Sequence, residues 1–329
     1  MTDTFRALLI DKTDEGQSVA YTQLTDADLM EGDVTVRVTH STVNYKDGLA
    51  ITGKAPILRK YPLIPGIDFS GEVIASGDAR YQPGDNVICT GWGVGEAHHG
   101  GFSERARVPG EWLVPVPEGW SNADAMTMAT AGFTAMLCVL RLEDLGLTPE
   151  AGDVVVTGAA GGVGSVAVAL LATAGYSVYA STGRPEEVDY FKTLGAKDIV
   201  HREEFSGKAR PLSKARWAGA VDVVGSSTLA NVIAQMKYHG IVTACGLAQG
   251  ADLPANVMPF ILRAVTLAGV ESVTVPREAR LRAWARLAQD IDMERMKAMT
   301  SHIGFDDLAA TADKIVRGQT RGRVVVDIA

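Results

Sequence analysis

A short apolar run, a glycine-rich turn and a second apolar run follow one another between positions 154 and 175. The residues are Val154-Val-Val-Thr-Gly158-Ala-Ala-Gly161-Gly162-Val163-Gly164, then Ser165-Val-Ala-Val-Ala-Leu-Leu-Ala-Thr-Ala-Gly175. Three consecutive valines fit a buried strand, and the longer run fits an apolar helix. A strand that turns through glycines into a helix is the unit that grips a nucleotide pyrophosphate. Backbone N–H groups at the helix N-terminus face the phosphates, and a side chain in the turn would hold them off. The spacing is G-x-x-G-x-x-G rather than the commoner G-x-G-x-x-G. A glycine triplet alone is a weak signal, and the flanking strand and helix give it meaning. A turn with no ligand is the competing reading.

The pattern around this unit sets the fold class. Strands are expected at 154–157, 177–181, 198–200, 221–224, 241–245 and 267–270, with helices between them that close at Gly175, Gly195 and Gly240. Buried strands alternating with helices make a parallel doubly wound sheet. Residues 1–120 differ: short alternating runs at 34–38, 71–75, 86–89 and 112–116 are broken by Pro-Gly pairs at 65–66, 83–84 and 109–110. That is a β-rich, partly closed barrel. Ser121 and Asp124 stand in a capping-box relation ahead of a long apolar helix at about 123–141. An amphipathic helix at 277–290 and a last strand at 322–328 follow the sixth strand, so the C-terminal segment is expected to return to the first domain. The expected division is 1–122 with 268–329 for the β-rich domain and 123–267 for the dinucleotide-binding one.

At 329 residues two domains are the prior. A net charge of −8 with no basic run argues against nucleic acid as a partner. No apolar run approaches the ~20 residues that span a bilayer, and the N-terminus has no apolar signal core. A cytoplasmic protein is expected. Cys89, Cys138 and Cys245 are odd in number and far apart, which disfavours disulfides and structural zinc. His98 and His99 point in different directions as neighbours and make no ready metal site. No metal is expected.

An NAD site places an acid at the end of the second strand, about 20 residues past the glycines, for the ribose 2′-OH. Here that place reads Ser181-Thr182-Gly183-Arg184. Hydroxyls replace the acid and a guanidinium follows, which suits a 2′-phosphate. NADPH is the cofactor expected. Arg202, past the third strand, opens at the same sheet edge, although a solvated loop arginine accounts for it equally. The ligand lies beyond the carboxyl ends of the strands, and the catalytic partner comes from the other domain. Asn44-Tyr45-Lys46-Asp47-Gly48 offers a phenol, an ammonium and a carboxylate within a few residues, groups able to donate a proton or polarise a carbonyl. A polar turn explains the same residues. Asp68 and Glu72 read as structural, and Gly91–Gly95 as a flexible loop.

A β-rich domain, the Ala159-Ala-Gly-Gly-Val-Gly164 turn and a returning C-terminal segment together resemble the medium-chain dehydrogenase/reductase superfamily, in its zinc-free, quinone-oxidoreductase-like branch with a GroES-like first domain. Zinc members carry a cysteine in the Asn44–Asp47 segment and Gly-His-Glu where this chain has Gly66-Ile-Asp68. Several longer segments are similar to the bacterial NADPH-dependent acrylyl-CoA reductase family: residues 44–54, 64–69, 90–96, 131–139, 216–220 and 259–263. The resemblance implies roles by position. Asn44 and Tyr45 stand near nicotinamide and substrate, and Ala160, Gly161, Gly162 and Val163 hold the pyrophosphate. Ser181, Thr182, Gly183, Arg184 and Arg202 surround the 2′-phosphate. Leu247, Ile261 and Ser272 contact the nicotinamide end, Arg323 closes over the cofactor, and Asp47 orients Tyr45 or Arg323.

The implied reaction is reduction of acrylyl-CoA to propionyl-CoA. A hydride goes to the β-carbon, an enolate is stabilised, and a proton goes to the α-carbon from Tyr45 or water. A donor aimed at the enolate oxygen is worth on the order of 3 kcal/mol. Backbone N–H groups or the Asn44/Tyr45 region are expected there. Lys46, Lys54, Arg59 and Lys60 are candidates for an anionic CoA thioester, and a solvated face explains them as well. A quinone or enal reductase of the same branch and a non-catalytic NADPH-binding sensor are the alternatives. Residues around 251–260 are expected to pair strands across a two-fold axis in a homodimer.

Overall fold

The computed structural model describes residues 3–14 and 16–328. It divides into two compact units: Met1–Thr130, Val273–Arg282 and Lys297–Ala329 form the first, Ala131–Ser272 and Ala283–Met296 the second. The division thus falls eight residues beyond 122 on one side, and residues 283–296 belong with the second unit.

The chain enters with an antiparallel hairpin, β1 (Thr4–Thr13) and β2 (Gly16–Thr25). β3 (Val34–Thr42), helix α1 (Tyr45–Thr52), β4 (Asp68–Ser76), β5 (Asn86–Thr90), β6 (Arg105–Val108) and β7 (Leu113–Pro115) follow. Each strand expected in this region is present. The hairpin and α1 were not expected. β2 buries none of its side chains fully, and α1 is too short for a 3.6-residue period to register. Helix α2 (Asn122–Asp144) carries the expected cap: Asp124 N–H donates to Ser121 Oγ at 3.1 Å, and Ser121 N–H donates to Asp124 Oδ2 at 2.9 Å. By length and composition α2 passes as a membrane span, which corrects the expectation that no apolar run is that long. Most of its apolar window is buried within the protein. The helix is interrupted at buried Ala129, with φ 42° and ψ −147°.

In the second unit come β8 (Val154–Val156), α3 (Gly162–Thr173), β9 (Val178–Thr182), α4 (Val188–Thr193), β10 (Asp198–His201), β11 (Trp217–Asp222), α5 (Ser226–Ala234), β12 (Met236–Ala244), α6 (Met258–Arg263) and β13 (Thr266–Gly269). They form one parallel sheet in the order β10-β9-β8-β11-β12-β13. This is the doubly wound sheet expected, and its strand order reverses between β8 and β11. The central valines of β8 are fully buried, and Phe205, Trp217, Val232 and Val242 pack on one face.

The chain then runs through α7 (Arg277–Asp290), α8 (Met293–Lys297), β14 (Thr300–Gly304), α9 (Leu308–Val316) and β15 (Arg323–Asp327). β15 pairs antiparallel with β3, Val325 opposite Thr42, and so completes a sheet ordered β14-β15-β3-β4-β5-β7 with β6 also on β3. The C-terminal return is as expected. Val36, Val38, Phe69, Phe102 and Val326 lie in the core of this unit.

Candidate active site

Between β3 and α1 the first unit builds a buried polar hub. Asn44 is the N-cap of α1 in extended conformation. Its backbone N–H donates to Asp47 Oδ2 at 2.8 Å, a local contact set by their spacing in the first turn. Its side-chain Nδ2 donates to Asp47 Oδ2 at 3.1 Å and to Asp68 Oδ2 at 2.7 Å. Its Oδ1 accepts from Arg323 Nη1 at 3.4 Å. The amide orientation is dictated by these partners, since carboxylates only accept and a guanidinium only donates. Asp47 Oδ1 accepts the Ile67 N–H at 2.9 Å. Asp68 accepts the Thr130 N–H at 3.2 Å and the Thr130 hydroxyl. Arg323 also donates to the Thr127 carbonyl at 2.9 Å and to Thr42 Oγ1 at 3.0 Å.

Asp47, Asp68 and Arg323 are all buried. Burial pushes the Asp47 carboxyl up to about 7, and the neighbouring Asp68 adds to this, against the Asn44 and Ile67 donors. Burial also raises Asp68, opposed by Thr130, Asn44 and Arg323. Burial holds Arg323 below its ordinary value, against the attraction of Asp68 and Asp47. Two carboxylates therefore compete for charge beside one guanidinium, and near neutral pH the cluster sits close to taking up a proton.

This geometry changes several sequence-based assignments. Asp47 hydrogen-bonds neither Tyr45 nor Arg323; Asn44 stands between the acids and the guanidinium. Arg323 is a buried strut within the hub. Asn44 spends both ends of its amide on internal partners. Tyr45, the next residue, is 47% exposed, and its phenol makes no hydrogen bond among the described residues. Asp68, read from the sequence as structural, and Thr130, not singled out there, complete the hub. The one signal for Asp68 was its place after Pro65-Gly66-Ile67, and nothing local marks Thr130.

The neighbouring charges are largely committed. Lys46 pairs with Glu96 at 2.8 Å and Arg59 approaches the same carboxylate at 3.9 Å, while Lys54 lies 3.6 Å from Asp313. Of the four lysines and arginines considered for an anionic substrate, only Lys60 has no ion pair among the described residues. The Gly91–Gly95 loop is pinned, not loose. Buried Arg280 donates to the Thr90 carbonyl at 2.9 Å and the Val273 carbonyl at 2.8 Å, with its guanidinium 4.8 Å from the Trp92 ring centre. Trp92 N–H in turn donates to the Val273 carbonyl at 2.8 Å. Glu72 pairs with Arg37 at 2.6 Å, as befits a structural surface residue.

The second unit presents the glycine turn as expected. Gly161 is the N-cap of α3, with no side-chain cap and no acid in the first turn. The leading N–H groups of a helix lack intrahelical acceptors and favour an anion. A Cβ at Gly164 would stand 2.3 Å from the Gly158 carbonyl oxygen, so only glycine lets α3 start this close to the turn. Ala160, Gly162 and Val163 are half-buried and Gly161 is exposed. Where the strand order reverses, Asp222 accepts from Thr157 Oγ1 at 2.7 Å and the Gly225 N–H at 2.8 Å, and burial raises its carboxyl. This clasp joins the ends of β8 and β11 and was not read from the sequence.

At the end of β9, Ser181 and Thr182 are buried, and Thr182 Oγ1 accepts the Arg184 N–H at 3.0 Å. Arg184 Nη1 lies 3.4 Å from Glu187 Oε1. Arg202 packs against Gly183 across the neighbouring strand, where His201 is in register with Thr182. Leu247 and Ile261 are exposed and Ser272 is half-buried.

Residues 30–118 match the alcohol dehydrogenase GroES-like domain family, and residues 162–289 match the zinc-binding dehydrogenase family. The chain is 54% identical over 327 residues to acrylyl-CoA reductase AcuI of Ruegeria pomeroyi, which covers 98% of this chain and 99% of that protein. Among solved structures, the yhdH oxidoreductase from Salmonella enterica in complex with NADP superposes with a TM-score of 0.96 at 52% identity, over 98% of this chain and 100% of that one. The Bacillus subtilis protein yhfP with NAD bound gives 0.94 at 43% identity, covering 99% of each chain.

Proposed function

The chain belongs to the acrylyl-CoA reductase family of the medium-chain dehydrogenase/reductases, and on that premise we propose that it reduces the activated C=C of acrylyl-CoA to propionyl-CoA with NADPH. The observation that carries the reading is an exposed Tyr45 phenol mounted next to the buried Asn44–Asp68 hub. NADPH, when bound, supplies the hydride taken by the β-carbon of the thioester.

The residues of this chain do the rest. Gly161 and the first turn of α3 receive the pyrophosphate on backbone N–H groups. The edge of the sheet at Gly183, Arg184 and Arg202 receives the 2′-phosphate, with Ser181 and Thr182 where an NAD site carries its acid. The Asp222 clasp keeps the glycine turn in place. Tyr45 gives a proton to the α-carbon, and the hub fixes the start of α1 so that the phenol is aimed. With Asn44 committed inside the hub, the enolate oxygen is left to backbone N–H groups.

Zinc does not fit this site. Among the described residues no group of three or more His, Cys, Asp or Glu is placed to hold a metal ion. Among the described residues no histidine or cysteine hydrogen-bonds Asp47 or Asp68, and their oxygens are taken by N–H and O–H donors.

The apolar residues Leu253, Val257 and Leu262 are exposed next to the edge strand β13, which supports a homodimer built on that edge. Three free thiols, two of them buried, support a cytoplasmic setting.

The test is NADPH oxidation measured in parallel with acrylyl-CoA, crotonyl-CoA, a quinone and acrolein. The reading expects the highest kcat/KM with acrylyl-CoA. A higher value with the quinone or acrolein identifies a reductase of broader alkenes or quinones. Tight NADPH binding without turnover on any of them identifies a sensor.

A further inference from the structure

We infer that Gly183 is a specificity-determining residue: its missing side chain is the seat of the Arg202 guanidinium, and Arg202 is the principal cation for the cofactor's 2′-phosphate. The inference rests on the NADPH reading and deepens it.

Two arginines reach the end of β9, and the structure distinguishes them. Arg184 Nη1 is 3.4 Å from Glu187 Oε1, and Glu187 keeps only 14% of its side-chain surface. Any dianion approaching Arg184 meets that carboxylate as well. Arg202 is exposed and has no ion pair among the described residues. Its position is set by two features. β10 runs beside β9 with His201 opposite Thr182, so residue 202 emerges beside residue 183. At residue 183 a Cβ would lie 2.6 Å from Arg202 Nε, 2.8 Å from Cδ and 2.8 Å from Cζ. Those distances are too short for any carbon there, so even alanine displaces the guanidinium. The backbone of Gly183 is not in the left-handed region, so the glycine is not required by its own conformation. What its absence of a side chain provides is room for Arg202. A guanidinium seated there presents paired donors beside the end of β9, and one pushed aside does not.

The test measures equilibrium binding of adenosine 2′,5′-bisphosphate and of 5′-AMP by calorimetry, so that the 2′-phosphate is the only difference between probes. The wild type is expected to bind the bisphosphate more tightly. If it does not, the NADPH reading itself fails. With that preference present, Gly183→Ala and Arg202→Ala are each expected to lower the ratio of the two affinities at least about tenfold. The double variant is expected to fall no further than Arg202→Ala alone, because both act through one guanidinium. Thermal midpoints of all variants show that the fold is kept. A Gly183→Ala ratio equal to wild type, with Arg202→Ala reduced, overturns the seat. A double variant losing the product of the two single effects overturns it too. An Arg202→Ala ratio equal to wild type overturns the role of Arg202.

Discussion

Asn44 Nδ2 stands 2.7 Å from Asp68 Oδ2 although the two residues are 24 apart in sequence. That bond ties the start of α1 to the start of β4, and through Thr130 to the far side of the Ala129 break in α2. It makes Asp68 a positioning residue for Tyr45. Replacing Asp68 with Ala leaves Asn44 and Thr130 donors unsatisfied in a buried place and removes one of the two negative charges facing Arg323. The expected cost is on the order of 3 kcal/mol of stability, read by urea unfolding, with kcat falling more than KM. A variant as stable as wild type would show that the hub relaxes without it.

Asp47 gives the protein a stability that depends on pH in a specified direction. Its carboxyl is raised from 3.8 to about 7 by burial and by Asp68. Between those values the folded state holds a proton that the unfolded state has released, so stability falls as pH rises. The contribution is whole below pH 4 and gone above pH 7. Asp68, also raised, acts in the same sense. Asp47→Asn is expected to be less stable at every pH, since its amide N–H₂ faces N–H donors from Asn44 or Ile67. Its thermal midpoint is expected to vary less from pH 4 to 7 than that of wild type. Parallel slopes would place the titration elsewhere.

Tyr45→Phe keeps the ring and removes the proton. If the phenol protonates the α-carbon, kcat is expected to fall about 10²-fold, with the NADPH dissociation constant little changed. A matched loss of NADPH binding would make Tyr45 a cofactor ligand. The phenol projects from α1 with 47% of its surface exposed, so the substitution leaves the core untouched.

The fold was legible because its signals are local. Val154–Val156 and Gly158–Gly164 form a strand and a turn in consecutive residues, and 277–290 shows its helical period outright. The outer hairpin strand β2 escaped because it has no buried face to pattern it. The local setting of single residues was legible: Gly161 does stand at the turn into α3, and Tyr45 does sit in a polar segment at the start of a helix. The site was not legible where function lies in pairing. Asn44 reads as a polar donor until Asp68 and Arg323 are seen to occupy both ends of its amide. Thr130 reads as a helix residue until Ala129 breaks the helix and Asp68 caps the second half. Arg202 reads equally as a residue of the phosphate edge or as a solvated loop arginine until β10 brings it against Gly183. Each of these contacts closes over a long sequence separation or across strands, where no short-range pattern exists.

Glu187 provides the last test, because it opposes the cofactor that the rest of the pocket favours. Its carboxylate Oε1 sits 3.4 Å from Arg184 Nη1, so a 2′-phosphate that pairs with Arg184 comes close to a like charge. Removing its charge in Glu187→Gln frees Arg184 and takes away a repulsion from the dianion. The ratio of kcat/KM for NADPH over NADH is expected to rise about threefold, the size of a partly exposed ion pair. Arg184→Ala is expected to lower that ratio less than Arg202→Ala, since Arg184 is already shared with a carboxylate. Equal losses would show that the two arginines hold the phosphate together, and a fall in the ratio for Glu187→Gln would mean that Glu187 holds Arg184 in its working position.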